Sequence, residues 1–413
     1  MFEQLERPVR PAPAWRAFLG DIGPGYLANG LIGFIFAASG PVAIILAVGS
    51  RGGLSQAELA SWIFGVFFVN GGLTLLMSWR YQMPLGFAWT IPGTVLVGPA
   101  LQHLHFTEVL GAFYATSLLI LILAATGWVK RLMSALPMPI VMGMVAGVFL
   151  RFGVDLVRAL HSDFAIAAPM VVSFLLLSSL PSLGRRLPPV IGALLVGALA
   201  VILFDRFDAS HPIIWAFAQP TIQMPAWSPA ALVELVLPLT ITVLVVQNGQ
   251  GCAVLRNAGH EAPVNTIAFA SGIGAALSAL VGAVSSCLTG PTNALLVSSG
   301  EQSRHYTAAV SFGVLALLFG MLAPMFTGLM LAAPREYIMM LGGLAMLRVL
   351  QGSYSAAFGA GRFSLGAMVC LLVTVADLPL FNIGAAFWGL VAGFTVSWLM
   401  EKPDFVALAN GTR

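Results

Sequence analysis

Two short stretches set chain breakers and small polar groups inside otherwise apolar sequence. One runs Gly86-Phe-Ala-Trp-Thr-Ile-Pro-Gly-Thr94, the other Ser285-Ser-Cys-Leu-Thr-Gly-Pro-Thr-Asn293. Neither suits a continuous helix, because proline lacks the backbone donor and its ring clashes with the preceding turn. Proline does suit the first turn of a helix, where its missing N–H would go unpaired anyway. Each stretch is therefore predicted to enter extended and to begin a short helix, near Pro92 and near Pro291. Two helix N-termini then face one another with free N–H donors and partial positive charge. That is the chemistry of an anion site. Ordinary proline kinks, steadied by neighbouring helices, are the competing reading.

The surrounding polar groups suit a negative ligand. Ser39, Thr90, Gln247, Asn248, Thr289, Thr292 and Asn293 are neutral donors within apolar runs. The sixteen carboxylates are expected in tails, loops or span ends; Glu234 and Asp377 come nearest to the membrane centre. A fixed carboxylate beside a bound anion would repel it strongly in low dielectric. Gln247-Asn248-Gly-Gln-Gly251 ends the apolar run from Leu235 to Val246, and adjacent amides at that depth cost free energy unless satisfied. They either hold a ligand or bond neighbouring helices. The same two readings stand for Ala37-Ala38-Ser39-Gly40-Pro41, where small residues meet a breaker. Trp89 either stacks on an aromatic ligand or packs between helices. Arg151 and Arg348 read as snorkelling cations at span ends, with ligand binding as the alternative.

Other chemistries lack their residues. His103, His105, His161, His211, His260 and His305 all fall in predicted loops, none at metal-ligand spacing, and are expected to be solvated. Cys252, Cys287 and Cys370 read as small buried hydrophobes. There is no Walker A pattern, no GxGxxG after a strand, and no acid pair or Ser/His pair at membrane depth. No cofactor, metal or enzymatic activity is expected. The net charge of +3 comes from charges standing singly, so no nucleic-acid partner is expected either.

The elements that must position these groups are membrane spans. The chain has 413 residues, 59% hydrophobic and 8% charged, with a mean hydropathy of +0.93. A soluble domain is about a quarter charged. The fold class is an all-α polytopic membrane protein, with the lipid bilayer as its partner. Predicted spans are 24–49, 59–77, 84–100, 108–126, 133–150, 164–181, 187–204, 231–250, 263–283, 285–299, 306–331, 335–350, 357–376 and 380–400. With these fourteen transmembrane segments, Arg51, Arg151, Arg158, Arg206 and Arg335 lie on one side. The other fourteen of the nineteen Lys and Arg lie on the opposite side. That asymmetry makes the richer side cytoplasmic and puts both termini there. The N-terminal stretch is polar and proline-bearing, and reads as a cytosolic tail rather than a signal peptide. The segment 205–230 reads as an external connector, with Trp215 and Trp227 at headgroup level.

The halves resemble each other. Ala135, Pro137, Met142, Leu150 and Arg151 align at an offset of 197 with Ala332, Pro334, Met339, Leu347 and Arg348; Thr90 and Pro92 align at 199 with Thr289 and Pro291. The expected organisation is a first repeat over 1–204, the connector over 205–230 and a second repeat over 231–413. Seven spans per half is odd, so this is a 7+7 inverted repeat, an architecture of alternating-access transporters.

Arg80-Tyr-Gln-Met-Pro84 with Ala88-Trp-Thr-Ile-Pro-Gly93, Ala146 to Gly153, and Gln247 to Arg256 together resemble the benzoate/proton symporter (BenE-type) family. The similarity runs over nearly the whole chain. Thr90 and Ile91 stand where the family motif has Ser and Thr, a departure at the pocket. The resemblance implies the uracil-permease-like fold, with a core domain (24–126 plus 231–331) and a gate domain (133–204 plus 335–400). It also implies short extended strands in segments 3 and 10 and a homodimer contact through the gate. Implied function is secondary active import of benzoate or a related aromatic carboxylate with a proton, across a bacterial inner membrane. Nucleobase members of the fold use acidic ligands where this chain has Gln247 and Thr292-Asn293. Nucleobase transport, inorganic-anion (sulfate-like) transport and an anion channel are the alternatives. The predicted binding set is Ser39, Gly40, Trp89, Thr90, Ile91, Gly93, Gln247, Asn248, Thr289, Gly290, Thr292 and Asn293, against an apolar wall of Phe36 and Met339 or Met340. Glu234 is the candidate proton carrier.

Overall fold

Uninterrupted runs of Leu, Val, Ala, Ile and Gly leave the backbone of this chain little to bond with but itself, and it forms helices almost throughout. The computed structural model describes residues 4–38, 40–180, 187–207, 215–298, 300–378, 380 and 385–411. The helices are α1 (Trp15–Asp21), α2 (Pro24–Ala38), α3 (Gly40–Arg51), α4 (Gln56–Phe64), α5 (Asn70–Tyr81), α6 (Ile91–Ala100) and α7 (Phe106–Ala125). Next come α8 (Trp128–Ala135), α9 (Met138–Ser162), α10 (Phe164–Ser179), α11 (Pro189–Leu203), α12 (Pro229–Ile241), α13 (Asn248–Asn257) and α14 (Val264–Leu280). The remainder are α15 (Gly290–Leu296), α16 (His305–Met321), α17 (Ala323–Leu331), α18 (Arg335–Phe358), α19 (Ser364–Ala376), α20 (Ala385–Met400) and α21 (Lys402–Gly411). Among the described residues, five stretches are long and apolar enough to cross a bilayer unaided: Pro24–Arg51, Gln56–Tyr81, Phe106–Ala125, Met138–Ser162 and Pro229–Asn257. A sixth joins α16 and α17 through a 69° bend, and six shorter apolar helices accompany them. This is a multi-pass membrane protein.

Two of the long stretches contain a π-turn, Gly65–Val69 between α4 and α5 and Thr242–Gln247 between α12 and α13. Such turns insert a residue into the helical register and recur at functional sites. Both lie against the one sheet among the described residues, a pair of three-residue antiparallel strands, β1 (Phe87–Trp89) and β2 (Ser286–Leu288). Phe87 faces Leu288, Ala88 faces Cys287 and Trp89 faces Ser286. Backbone groups at this depth need partners from the protein. Thr74 Oγ1 takes the Phe87 N–H at 2.8 Å and Asn248 Oδ1 takes the Leu288 N–H at 2.7 Å.

Around the sheet, α7 packs along α12 and α14, and α16 along α2 and α5. A second group packs α9 along α18 and α19, with α20 on α19 and α10 on α11. The groups meet where α3 crosses α18. A Cβ at Gly40 would lie 2.1 Å from that of Ala345, so only glycine allows this approach. A small apolar cluster including Ala43, Ile166, Met170, Tyr337 and Leu341 fills the junction.

Several groups sit differently from expectation. α9 continues to Ser162, twelve residues past the predicted span end, so Arg151 and Asp155 are helical residues inside the packed region. Asp155 is buried and bonds Arg51 at 2.6 Å. Thus not every acid lies in a loop or span end; pairing with Arg51 offsets the cost of burying this one. Likewise, three histidines are packed rather than solvated. His103 bonds Glu234 at 2.9 Å, and buried His260 lies 3.2 Å from His305. The described part of the connector threads across helix ends: Ala218 N–H bonds Met321 O, Gln223 N–H bonds Leu280 O and Ala226 N–H bonds Thr107 O. Trp215 and Trp227 are exposed along it.

Candidate functional site

The strand pair delivers two helices to one place. β1 ends at Trp89 and α6 begins at Ile91; β2 ends at Leu288 and α15 begins at Gly290. Pro92 and Pro291 stand in the first turns. Because the strands are antiparallel neighbours, the two helix starts flank them from opposite sides. Ser285 O receives the Thr90 N–H at 3.1 Å, which ties one helix entrance to the other strand.

A cavity of about 560 Å³ opens at this point. Ala88, Trp89, Ile91 and Pro92 line it from one tip, and Thr289, Pro291 and Thr292 from the other. Val246, Gln247 and Gln250 come from the π-turn and α13. The facing wall is Met142, Val145 and Phe149 of α9, Pro188 to Ile191 at the start of α11, and Leu344 to Ala356 on α18. Phe36, Ala37 and Pro41 close the side. The volume suits a small organic molecule, and a mostly apolar lining with few polar groups is the usual make-up of such a site. Trp89 stands edge-on to Phe67, with ring centres 5.0 Å apart, so one face is held by packing.

Trp89 Nε1, Gln247 Oε1 and Thr289 Oγ1 are buried and have no hydrogen-bond partner among the described residues. Leaving such atoms unpaired costs about 1–3 kcal/mol each. All three belong to residues lining the same cavity.

The structure thus brings Trp89, Ile91, Gln247, Thr289 and Thr292 of the predicted set to the cavity wall. Other members of the set have their polar groups engaged elsewhere. Thr90 Oγ1 caps its own helix by accepting the Gly93 N–H at 3.1 Å, and a Cβ at Gly93 would lie 2.4 Å from Thr90 Cγ2. Asn248 bonds Leu288 N–H and Ser271 Oγ. Asn293 bonds the backbone of Gly86 and of Thr289. Gly40 and Gly290 are close-packing positions, the latter against Gln250. Ser39 lies outside the described residues. The Thr90 cap also means that the tip of α6 does not offer all its N–H groups to a ligand. Met339 and Met340 pack in the α3–α18 junction; Met142 and Leu344 supply the wall instead. Arg348 lines the cavity too. Its pairing with Arg151 in the sequence alignment was the one signal for it.

Glu234 lies in the first half of α12, and Gln247 ends the π-turn that follows that helix. Glu234 lines a small separate pocket with Arg51, Arg151, Asp155 and Asp377. Among the described residues there is no cluster of His, Cys, Asp and Glu suited to a metal.

Comparisons with known proteins agree with this architecture. The inner membrane protein YdcO of Escherichia coli is 30% identical over 91% of this chain and 95% of its own length. The benzoate membrane transport protein of Acinetobacter baylyi is 25% identical over 91% of this chain and 94% of its own. In fold, the transmembrane domain of the cyanobacterial bicarbonate transporter BicA superposes with a TM-score of 0.64 at 14% identity, covering 93% of this chain and 99% of that domain. The family model described as benzoate membrane transport protein (BenE) matches residues 20–399, so the chain belongs to this family of membrane transporters, as the motifs around Trp89 and Gln247 predict.

Proposed function

We propose that this protein is a secondary active carrier that imports benzoate or a closely related aromatic carboxylate across a bacterial inner membrane, driven by protons. The carrying observation is that Trp89, Gln247 and Thr289, each with a buried polar atom unpartnered among the described residues, line a mostly apolar cavity of about 560 Å³. A carboxylate accepts hydrogen bonds from the Trp89 N–H and from the Thr289 and Thr292 hydroxyls. The Gln247 amide offers both a donor and an acceptor, so it can pair with the carboxylate or with its protonated form. The ring then rests on Phe36, Met142, Phe149 and Leu344. Thr90, Asn248 and Asn293 act on this reading as positioning residues that hold the two tips and the strands.

Fourteen spans in two inverted halves, with both termini cytoplasmic, supply the mechanical part of the proposal. Residues 24–126 with 231–331 form the moving core and 133–204 with 335–400 the gate, through which a homodimer forms. The cavity lies between residues of both groups, so sliding one against the other exposes it to alternate faces. Proton coupling runs through Glu234 or on the cargo's own carboxyl group. The alternative, an inorganic-anion carrier or channel on this fold, uses the polar tips but leaves the apolar wall without a role.

Reconstituted protein tests the reading. Saturable uptake of labelled benzoate, accelerated by benzoate on the opposite side, is expected of a carrier. Thermal stabilisation by sulfate or uracil, with none by aromatic acids, would reject the substrate class; conductance without counterflow would reject the carrier.

A further inference from the structure

The aligned stretches beginning at Ala135 and Ala332 each end in a Leu-Arg pair, Leu150-Arg151 and Leu347-Arg348. In the structure the two arginines stand in opposite circumstances. Arg348, on α18, lines the 560 Å³ cavity and is the one charged residue among the described residues lining it. Its side chain has no ion pair or hydrogen bond among the described residues. Arg151, on α9, is ion-paired with Asp377. It lines a pocket of about 60 Å³ with Glu234 and Asp155, and a second space of about 330 Å³ with Arg51 and Arg158.

The cavity and the smaller pocket lie at opposite ends of the same helices. α6 gives Ile91 and Pro92 to the cavity and Gly98 and Pro99 to the pocket. α9 gives Met142 and Val145 to the cavity and Arg151 and Asp155 to the pocket. On the pocket side the helices are latched, with Arg51 of α3 bonded to Asp155 of α9 at 2.6 Å. One guanidinium has no partner among the described residues, and the other already holds a carboxylate.

We propose, resting on the carboxylate-carrier reading above, that Arg348 and Arg151 are a matched pair of cargo-capturing cations, one for each face of the membrane. A guanidinium presents a planar fork that fits a carboxylate in two parallel hydrogen bonds. Where the other described lining residues are neutral, such a cation also draws anions inward. Arg348 performs this task in the open cavity. Arg151 performs it when its own side opens, and Asp377 takes the place of the cargo carboxylate while that side is shut. Breaking the Arg51–Asp155 and Arg151–Asp377 pairs is then part of opening that side.

Half-saturation constants for benzoate exchange, measured separately from each face of oriented proteoliposomes, test the pair. The Arg348→Gln variant is expected to shift the ratio of the two constants about tenfold, weakening the cavity face. The Arg151→Gln variant shifts the same ratio about tenfold in the opposite direction. Lysine at either position restores the charge without the fork and so only part of the ratio, which also controls for misfolding of the glutamine variants. Wild-type exchange with a ratio unmoved by both substitutions, or moved in one direction by both, overturns the pairing and leaves the carrier reading standing. A wild-type protein that exchanges no aromatic carboxylate overturns both.

Discussion

Asn293 holds both backbone polar groups of Gly86, 207 residues away. Its Oδ1 accepts the Gly86 N–H at 3.0 Å and its Nδ2 donates to Gly86 O at 2.8 Å. The same Nδ2 donates to Thr289 O at 2.7 Å. One fully buried amide therefore joins the entrance of β1 to the first turn of α15. A side chain at Gly86 would intrude on it, since a Cβ there lies 3.3 Å from Asn293 Oδ1 and 2.7 Å from Leu296.

Replacing Asn293 by alanine strands the Gly86 amide in a dry environment, at about 1–3 kcal/mol per unpaired group. The expected result is a clear fall in melting temperature in detergent, with benzoate affinity of the folded fraction changed less than about threefold. Affinity loss at an unchanged melting temperature would instead make Asn293 a ligand.

Thr289→Val should do the reverse. Its hydroxyl is buried without a partner among the described residues, and valine keeps the shape while removing the unsatisfied group. Removing a stranded polar atom is neutral or stabilising. The variant is expected to melt at or above the wild-type temperature while its half-saturation for benzoate rises about three- to tenfold, the range of one hydrogen bond. Calorimetric titration and a thermal melt on one preparation check both halves.

How far the sequence carried this arrangement can be judged residue by residue. Pro92 and Pro291 announce helix starts because proline leaves few other options at that depth, and both stand in first turns. Gln247 was legible as an amide ending an apolar run. What composition could not distinguish is which neutral polar group faces the cavity and which faces the backbone. Thr90 and Thr289 occupy matched positions, yet the first caps Gly93 and the second caps nothing. Asn248 and Asn293 satisfy strand and turn amides whose needs appear only once β1 and β2 pair. The ion pair of Asp155 was hidden for another reason. α9 runs beyond its apolar segment, so a charged stretch that reads as a loop remains helical and packs its charges against Arg51.

Glu234 offers a sharp test of coupling. It is buried beside His103, and thirteen residues separate it from Gln247, roughly 20 Å along a helix. It cannot touch cargo in the cavity, so a role in coupling requires that it titrate as the opposite side opens. Glu234→Gln is expected to keep benzoate counterflow while losing the acceleration given by an inward proton gradient. Accumulation that still follows the gradient in this variant would place the proton on the cargo's own carboxyl group.

His260 predicts a stability change with pH that is independent of transport. It lies in the loop between α13 and α14, 6% exposed, with Nε2 3.2 Å from His305 Nδ1. Burial, reinforced by the neighbouring His305, lowers its pKa from 6.5 to about 4. The folded protein thus holds His260 neutral where the unfolded chain would already take up a proton. Its contribution is complete above about 6.5 and declines as pH falls toward 4. Melting temperatures measured from pH 7.5 down to about 4.5 should fall across this window. The His260→Asn variant, which removes this group and leaves its neighbour His305, should show a shallower decline whatever its melting temperature at neutral pH. An equal slope in the two proteins would assign the acid sensitivity to other groups.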